Sequence, residues 1–125
     1  MTTMTWAQTS MKRPAIRAGI WTLQIVSAAL FLFAGTLKLS GAPMMVQVFD
    51  GVGLGQWFRY FTGTLEVISA VFLLVPSLAR YAALPLALTM VGAILTHLFI
   101  IGGSPVVPIA LLAATTTIAW VRSRD

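Results

Sequence analysis

Cysteine is absent from the chain, which removes disulfides, thiolate metal sites and thiol redox chemistry and leaves the redox compartment unspecified. Charge is almost as scarce: charged residues make up 9% of the 125 positions, where a soluble domain carries about 25%. Acids are the rarest of all, with three in total, Asp50, Glu66 and Asp125. A single histidine, His97, and one interior glutamate are too few for a convincing metal site. No serine or threonine stands in a recognisable nucleophile motif. The net charge of +5 does not point to nucleic acid, because the basic residues stand scattered between apolar blocks instead of forming a patch. What fills the chain instead is apolar: 58% hydrophobic residues, a mean hydropathy of +0.93, and a length that fits one domain.

The few charges divide the chain into spans. Twenty uncharged residues separate Arg17 from Lys38, about what a helix needs to cross a bilayer core. Forty-one uncharged residues lie between Arg80 and Arg122, enough for two spans, with Gly102-Gly103-Ser104-Pro105 dividing them. A further span runs from about Arg59 to Val75 and holds Glu66. The expected architecture is therefore an all-α, integral membrane four-helix bundle over residues 14–125, with spans at about 18–38, 59–75, 81–101 and 105–121. Residues 1–13 are expected to be a disordered cytoplasmic leader. The apolar run after Lys12, Arg13 and Arg17 is too long for a signal-peptide core, so it reads as a retained span. Four spans place Lys12, Arg13, Arg17, Arg80, Arg122 and Arg124 on one side and only Lys38 and Arg59 on the other. The positive-inside bias makes that an N-in, C-in topology. Trp6 and Trp21 suit the interface. Between the first two spans, Met44–Phe49 predicts a short amphipathic turn on the surface. The glycines of Gly51-Val52-Gly53-Leu54-Gly55 are turn residues, since no strand precedes them as a dinucleotide fingerprint requires. Pro85 is expected in the first turn or so of the third span, or at a slight kink.

Three ionisable residues fall at or inside the outer ends of spans: Lys38, Glu66 and His97. At about 1.5 Å per residue, Glu66 lies about 10 Å below the outer interface and His97 about 7 Å, with Lys38 at the surface. Side chains lean toward their helix's N-terminus, which tilts all three toward one outer-leaflet layer. Gln24, Ala28, Phe31, Gly35 and Lys38 form one stripe of the first helix, and Gly63, Glu66 and Ala70 one stripe of the second. Met90, Ala93 and His97 do the same on the third, with Gly92 and Thr96 beside them. Such small residues let helices approach closely in lipid and keep an acid off the acyl chains. The alternatives stay open at this point. Lys38 can be a snorkelling anchor; Glu66 can form a structural pair with Lys38 or Arg59; His97 can be a packing histidine.

From Phe31 onward the sequence resembles the DoxX and DoxX-like family of small four-helix membrane proteins. The carrying residues are Phe33-Ala34-Gly35-Thr36-Leu37-Lys38-Leu39, then Gly53-Leu54-Gly55-Gln56-Trp57 leading into Thr64-Leu65-Glu66-Val67. Phe72-Leu73-Leu74-Val75-Pro76 and Met90-Val91-Gly92-Ala93-Ile94-Leu95-Thr96-His97 continue the likeness. Gln56 departs from the pattern, standing where the family usually has proline. The resemblance implies the bundle, and it implies that Lys38, Glu66 and His97 match the family's polar intramembrane positions, with Gly35, Gly63, Thr96 and Arg59 in support. Some relatives are quinone-reactive subunits of sulfur-compound oxidation systems and others are partners in oxidative-stress assemblies.

Three functions follow as expectations. One is a membrane subunit binding a quinone, with His97 or Lys38 donating to a carbonyl and Glu66 handling the proton. A second is a non-enzymatic scaffold or interaction partner of an oxidoreductase. A small transporter ranks behind both, since no internal duplication is visible and a homo-oligomer would have to supply the missing helices. No cofactor is encoded, so a bound quinone or a partner redox subunit would have to complete any electron transfer. The expected surroundings are the lipid bilayer of a bacterial inner membrane, crossed several times.

Overall fold

The computed structural model describes residues 14–124. The expected leader 1–13, with Trp6, Lys12 and Arg13, and the acid Asp125 lie outside the described residues. The described chain is all-α with no strand: α1 Pro14–Ser40, α2 Pro43–Val52, α3 Trp57–Leu73, α4 Pro76–Thr96 and α5 Val106–Arg122. Helix α4 runs on through a π-helical turn, His97–Ile101.

Proline and glycine set most of these boundaries. Pro43 and Pro76 open α2 and α4, where a missing N–H costs nothing because the first turn has no partner for it. Gly41 ends α1 at φ 74° and Gly53 ends α2 at φ 83°, left-handed values that suit glycine. The π-helical turn ends on Gly102 and Gly103, at φ 73° and 83°.

Three details differ from the sequence reading. The amphipathic turn around Met44–Phe49 is a ten-residue helix, α2, because Pro43 nucleates it and Gly53 caps it. Helix α4 begins at Pro76, so Pro85 lies in its interior and deprives the Tyr81 carbonyl of its helical bond. The third apolar stretch is α-helical only to Thr96 and then widens to π geometry, which inserts wider turns where His97 begins.

Helix α1 lies along α3, α3 packs on α4, α4 on α5, and α5 returns to α1. Helix α2 sits across one end, touching α1, α3 and the π-helical turn. The core is filled by Phe31, Leu73, Leu86 and Ile118, all fully buried, with Ala70, Ala79 and Ala83 between them. The alanines let α3 and α4 approach closely. Every helix leaves large apolar side chains on the outer surface: Leu88 is 74% exposed and Phe99 79%. Two stretches, Pro14–Ser40 and Pro76–Ile101, are long and apolar enough to cross a membrane, and α5 is a shorter apolar helix.

Candidate functional site

The site forms where α1 and α3 cross. Gly35 and Gly63 face each other there, and neither position has room for a side chain. A Cβ on Gly35 would lie 2.7 Å from Val67 Cγ2 and 2.9 Å from the Gly63 carbonyl oxygen. A Cβ on Gly63 would lie 3.0 Å from Lys38 Cβ and 3.1 Å from the Gly35 carbonyl oxygen. This close approach carries Glu66, one turn below Gly63, against the last turn of α1.

Lys38 Nζ lies 2.8 Å from Glu66 Oε1. The two are not equally enclosed: the Glu66 side chain is fully buried, whereas the Lys38 side chain retains 13% exposure. Lys38 is therefore the member of the pair that still reaches the surface, and it is not a free snorkelling anchor. Glu66 Oε2 is buried without a hydrogen-bond partner among the described residues. A carboxylate oxygen away from water ordinarily has a partner, so this one is open to a ligand atom, a proton or a water.

Arg59 braces the pair from the side. Its Nη1 donates to the Lys38 carbonyl and its Nε to Gln56 Oε1 at 2.7 Å, while its guanidinium stacks 4.3 Å from the Tyr60 ring centre. Gln56 in turn donates through Nε2 to the Val46 carbonyl of α2 at 3.1 Å. One chain of bonds therefore ties the C-terminus of α1, the start of α3 and the covering helix α2. Both cations, Lys38 and Arg59, sit at the negative end of the α1 dipole, which favours them there. Arg59 pairs with backbone and amide, not with Glu66.

The remaining expected site residues behave differently. His97 uses Nδ1 on the Ala93 carbonyl of its own helix, 2.8 Å away, which leaves Nε2 for other contacts. No ion pair or hydrogen bond joins it to Lys38 or Glu66 among the described residues. Thr96 likewise donates to its own helix, at the Gly92 carbonyl, 2.8 Å away. Gly92 is exposed with open space beside it.

At the other end of the helices the structure holds a polar cluster that the sequence reading passed over. Gln24 is fully buried; it donates through Nε2 to the Leu73 carbonyl at 2.8 Å and accepts from Arg122 Nε at 2.7 Å. Arg122 also stacks 5.4 Å from the Trp21 ring centre. One amide thus joins α1, α3 and α5. The available signal was Gln24 on the apolar stripe of α1, a polar group that a membrane helix must satisfy. By sequence alone Arg122 reads only as a topology charge.

The DoxX-like family model matches residues 22–121. The chain belongs to the DoxX-like family. It is also similar to the protein named "Putative oxidoreductase CatD" of Bacillus subtilis (strain 168), at 28% identity over 78 residues. That alignment covers 62% of this chain and 58% of the relative, so the chain spans little more than half of that protein's length. No solved structure matches the chain.

Proposed function

We propose that this DoxX-like protein is a multi-pass subunit of a bacterial inner membrane that binds a quinone, or a lipophilic carrier like it, at the Lys38–Glu66 pair. In this reading α1, α3, α4 and α5 form a membrane-spanning four-helix bundle, both termini are cytoplasmic, and α2 lies over the outer end. The shorter helices α3 and α5 have 17 residues each, the lower end of the range for a span. The large apolar side chains exposed on every helix support the lipid environment. The oxidoreductase name of the Bacillus relative supports a redox setting, with a partner subunit supplying the electron chemistry.

The observation that carries the reading is Glu66 Oε2, buried and without a partner among the described residues, beside a lysine that reaches the surface. A lysine ammonium donates to a carbonyl oxygen of the carrier, and the neighbouring carboxylate takes or returns the proton that accompanies reduction or oxidation. A lipophilic carrier is favoured because the helices around the pair carry large exposed apolar side chains, such as Leu39 and Phe61.

The experiment is extraction of the purified protein for bound quinones, with thermal unfolding in the presence of short-chain quinone analogues. Co-purified quinone and a raised Tm that Glu66→Gln abolishes are expected. No co-purified quinone and no shift in Tm overturn the reading. The close crossing at Gly35 and Gly63 favours a second reading, in which the pair only locks helix register in a scaffold protein. Under that reading Glu66→Gln lowers stability yet still complements a null strain.

A further inference from the structure

At the end of the molecule opposite Lys38 and Glu66, a shallow groove of about 290 Å³ opens between α4 and α5, lined by Arg80, Tyr81, Leu84, Ala119 and Ser123. Its polar rim is cationic and pre-arranged. Arg80 Nη2 donates to Tyr81 Oη at 2.6 Å, and the guanidinium lies 4.6 Å from the Tyr81 ring centre. That bond uses one of the five N–H donors of the guanidinium and leaves the tyrosine's own O–H free to donate elsewhere. Among the described residues no carboxylate contacts Arg80: Glu66 is paired with Lys38 at the far end, and Asp50 lies on α2. The floor is apolar, with Leu84 60% exposed and Leu88, one turn along the same face of α4, 74% exposed.

A cation and a hydroxyl donor at the mouth of an apolar strip match a phosphodiester with an acyl chain beneath it. We infer that this groove binds the headgroup phosphate of an anionic phospholipid, with Arg80 and Tyr81 on the phosphate and one acyl chain along Leu84 and Leu88. The volume falls at the lower edge of ordinary ligand sites, about 300–1,000 Å³, which suits a headgroup and the first carbons of a chain. Arg124, whose guanidinium lies 5.8 Å from the Trp120 ring centre, adds positive charge at the same end. An anionic headgroup is preferred over a zwitterionic one because the rim holds cations and no acid among the described residues, and anionic lipids populate the cytoplasmic leaflet.

The inference rests on the membrane-spanning reading with this end at the cytoplasmic face, and the test separates the two. The full chain, purified in detergent, is mixed with equal amounts of phosphatidylglycerol and phosphatidylcholine, and retained lipids are counted by native mass spectrometry. Phosphatidylglycerol is expected to be retained about fivefold over phosphatidylcholine, the factor for one arginine at a membrane surface. Arg80→Gln is expected to remove that preference, Arg80→Lys to keep part of it, and Leu84→Trp, which fills the groove, to lower retention of both lipids. Equal retention by the wild type, a preference unchanged in Arg80→Gln, or retention of both lipids unchanged in Leu84→Trp overturns the site. Full displacement by millimolar inorganic phosphate overturns the lipid as its source. A chain that fractionates with soluble proteins defeats the membrane reading itself, whereas a membrane-bound chain without lipid preference defeats the groove alone.

Discussion

Breaking the Lys38–Glu66 pair from its two sides should have unequal consequences. Removing one member of a buried pair strands the other, a loss of about 3–5 kcal/mol when the stranded charge stays buried. Lys38→Met strands Glu66, which is fully buried and has no exposed segment through which to escape. Glu66→Leu strands Lys38, which keeps 13% exposure in the last turn of α1 and can swing outward on its four-carbon stem. Lys38→Met should therefore cost the full range of about 3–5 kcal/mol, and Glu66→Leu only about 1–3 kcal/mol. The double variant replaces both charges with apolar groups of similar size and should return to within about 1 kcal/mol of the parent, or exceed it. Equilibrium unfolding in mixed micelles, titrated with a denaturing detergent, measures all four corners of the cycle. Simple additivity would show that the pair does not act as a unit. Equal costs for the two single variants would refute the argument from unequal enclosure.

Two further outcomes test the crossing and the opposite end. Gly35→Ala drives a methyl against Val67 and the Gly63 carbonyl, 2.7 and 2.9 Å away, and should cost about 1–3 kcal/mol in the same unfolding assay; an unchanged midpoint would mean that the helices separate freely. Gln24→Leu deprives Arg122 Nε of its acceptor and the Leu73 carbonyl of its donor, both buried, and should cost about 2–4 kcal/mol. A loss below about 0.5 kcal/mol would show that this amide does not hold α1, α3 and α5 together.

Much of the helix pattern was legible because charge is so rare that each cation punctuates an apolar run. The rest was lost where length ceased to be informative. Helix α2 is too short for periodicity to separate it from a turn, and Pro43 with Gly53 settles it only once both caps are seen in place. A span starting at about residue 81 puts Pro85 in its first turn or at a slight kink, whereas Pro76 opens the helix earlier and leaves Pro85 in its interior. For the site, the stripes Gly35–Lys38 on α1 and Gly63–Glu66 on α3 put the two charges on facing sides, where they meet at 2.8 Å. Depth alone does not say which neighbour a side chain faces, and His97 illustrates it: its Nδ1 is taken by Ala93, four residues back in its own helix. Gln24 and Arg122 escaped because they are 98 residues apart and each had an adequate local explanation, one as a stripe residue and the other as a topology charge.

The geometry of the crossing also bears on why an ion pair should stand there at all. Register between α1 and α3 is already fixed by Gly35 and Gly63, whose missing side chains admit one close approach and exclude its neighbours. At the opposite end Gln24 fixes the same two helices by its bond to the Leu73 carbonyl. A third lock is redundant, and a buried charge pair is a poor one, since an apolar pair of the same volume would hold as well or better. What apolar residues cannot supply is an ammonium that reaches the surface beside a carboxylate oxygen that has no partner among the described residues. Arg59 and Gln56 then take on a clear role, because they hold the Lys38 backbone and α2 in place while leaving Glu66 untouched. Bracing that fixes the lysine, while the second oxygen of the acid has no partner among the described residues, fits the proposed carrier site.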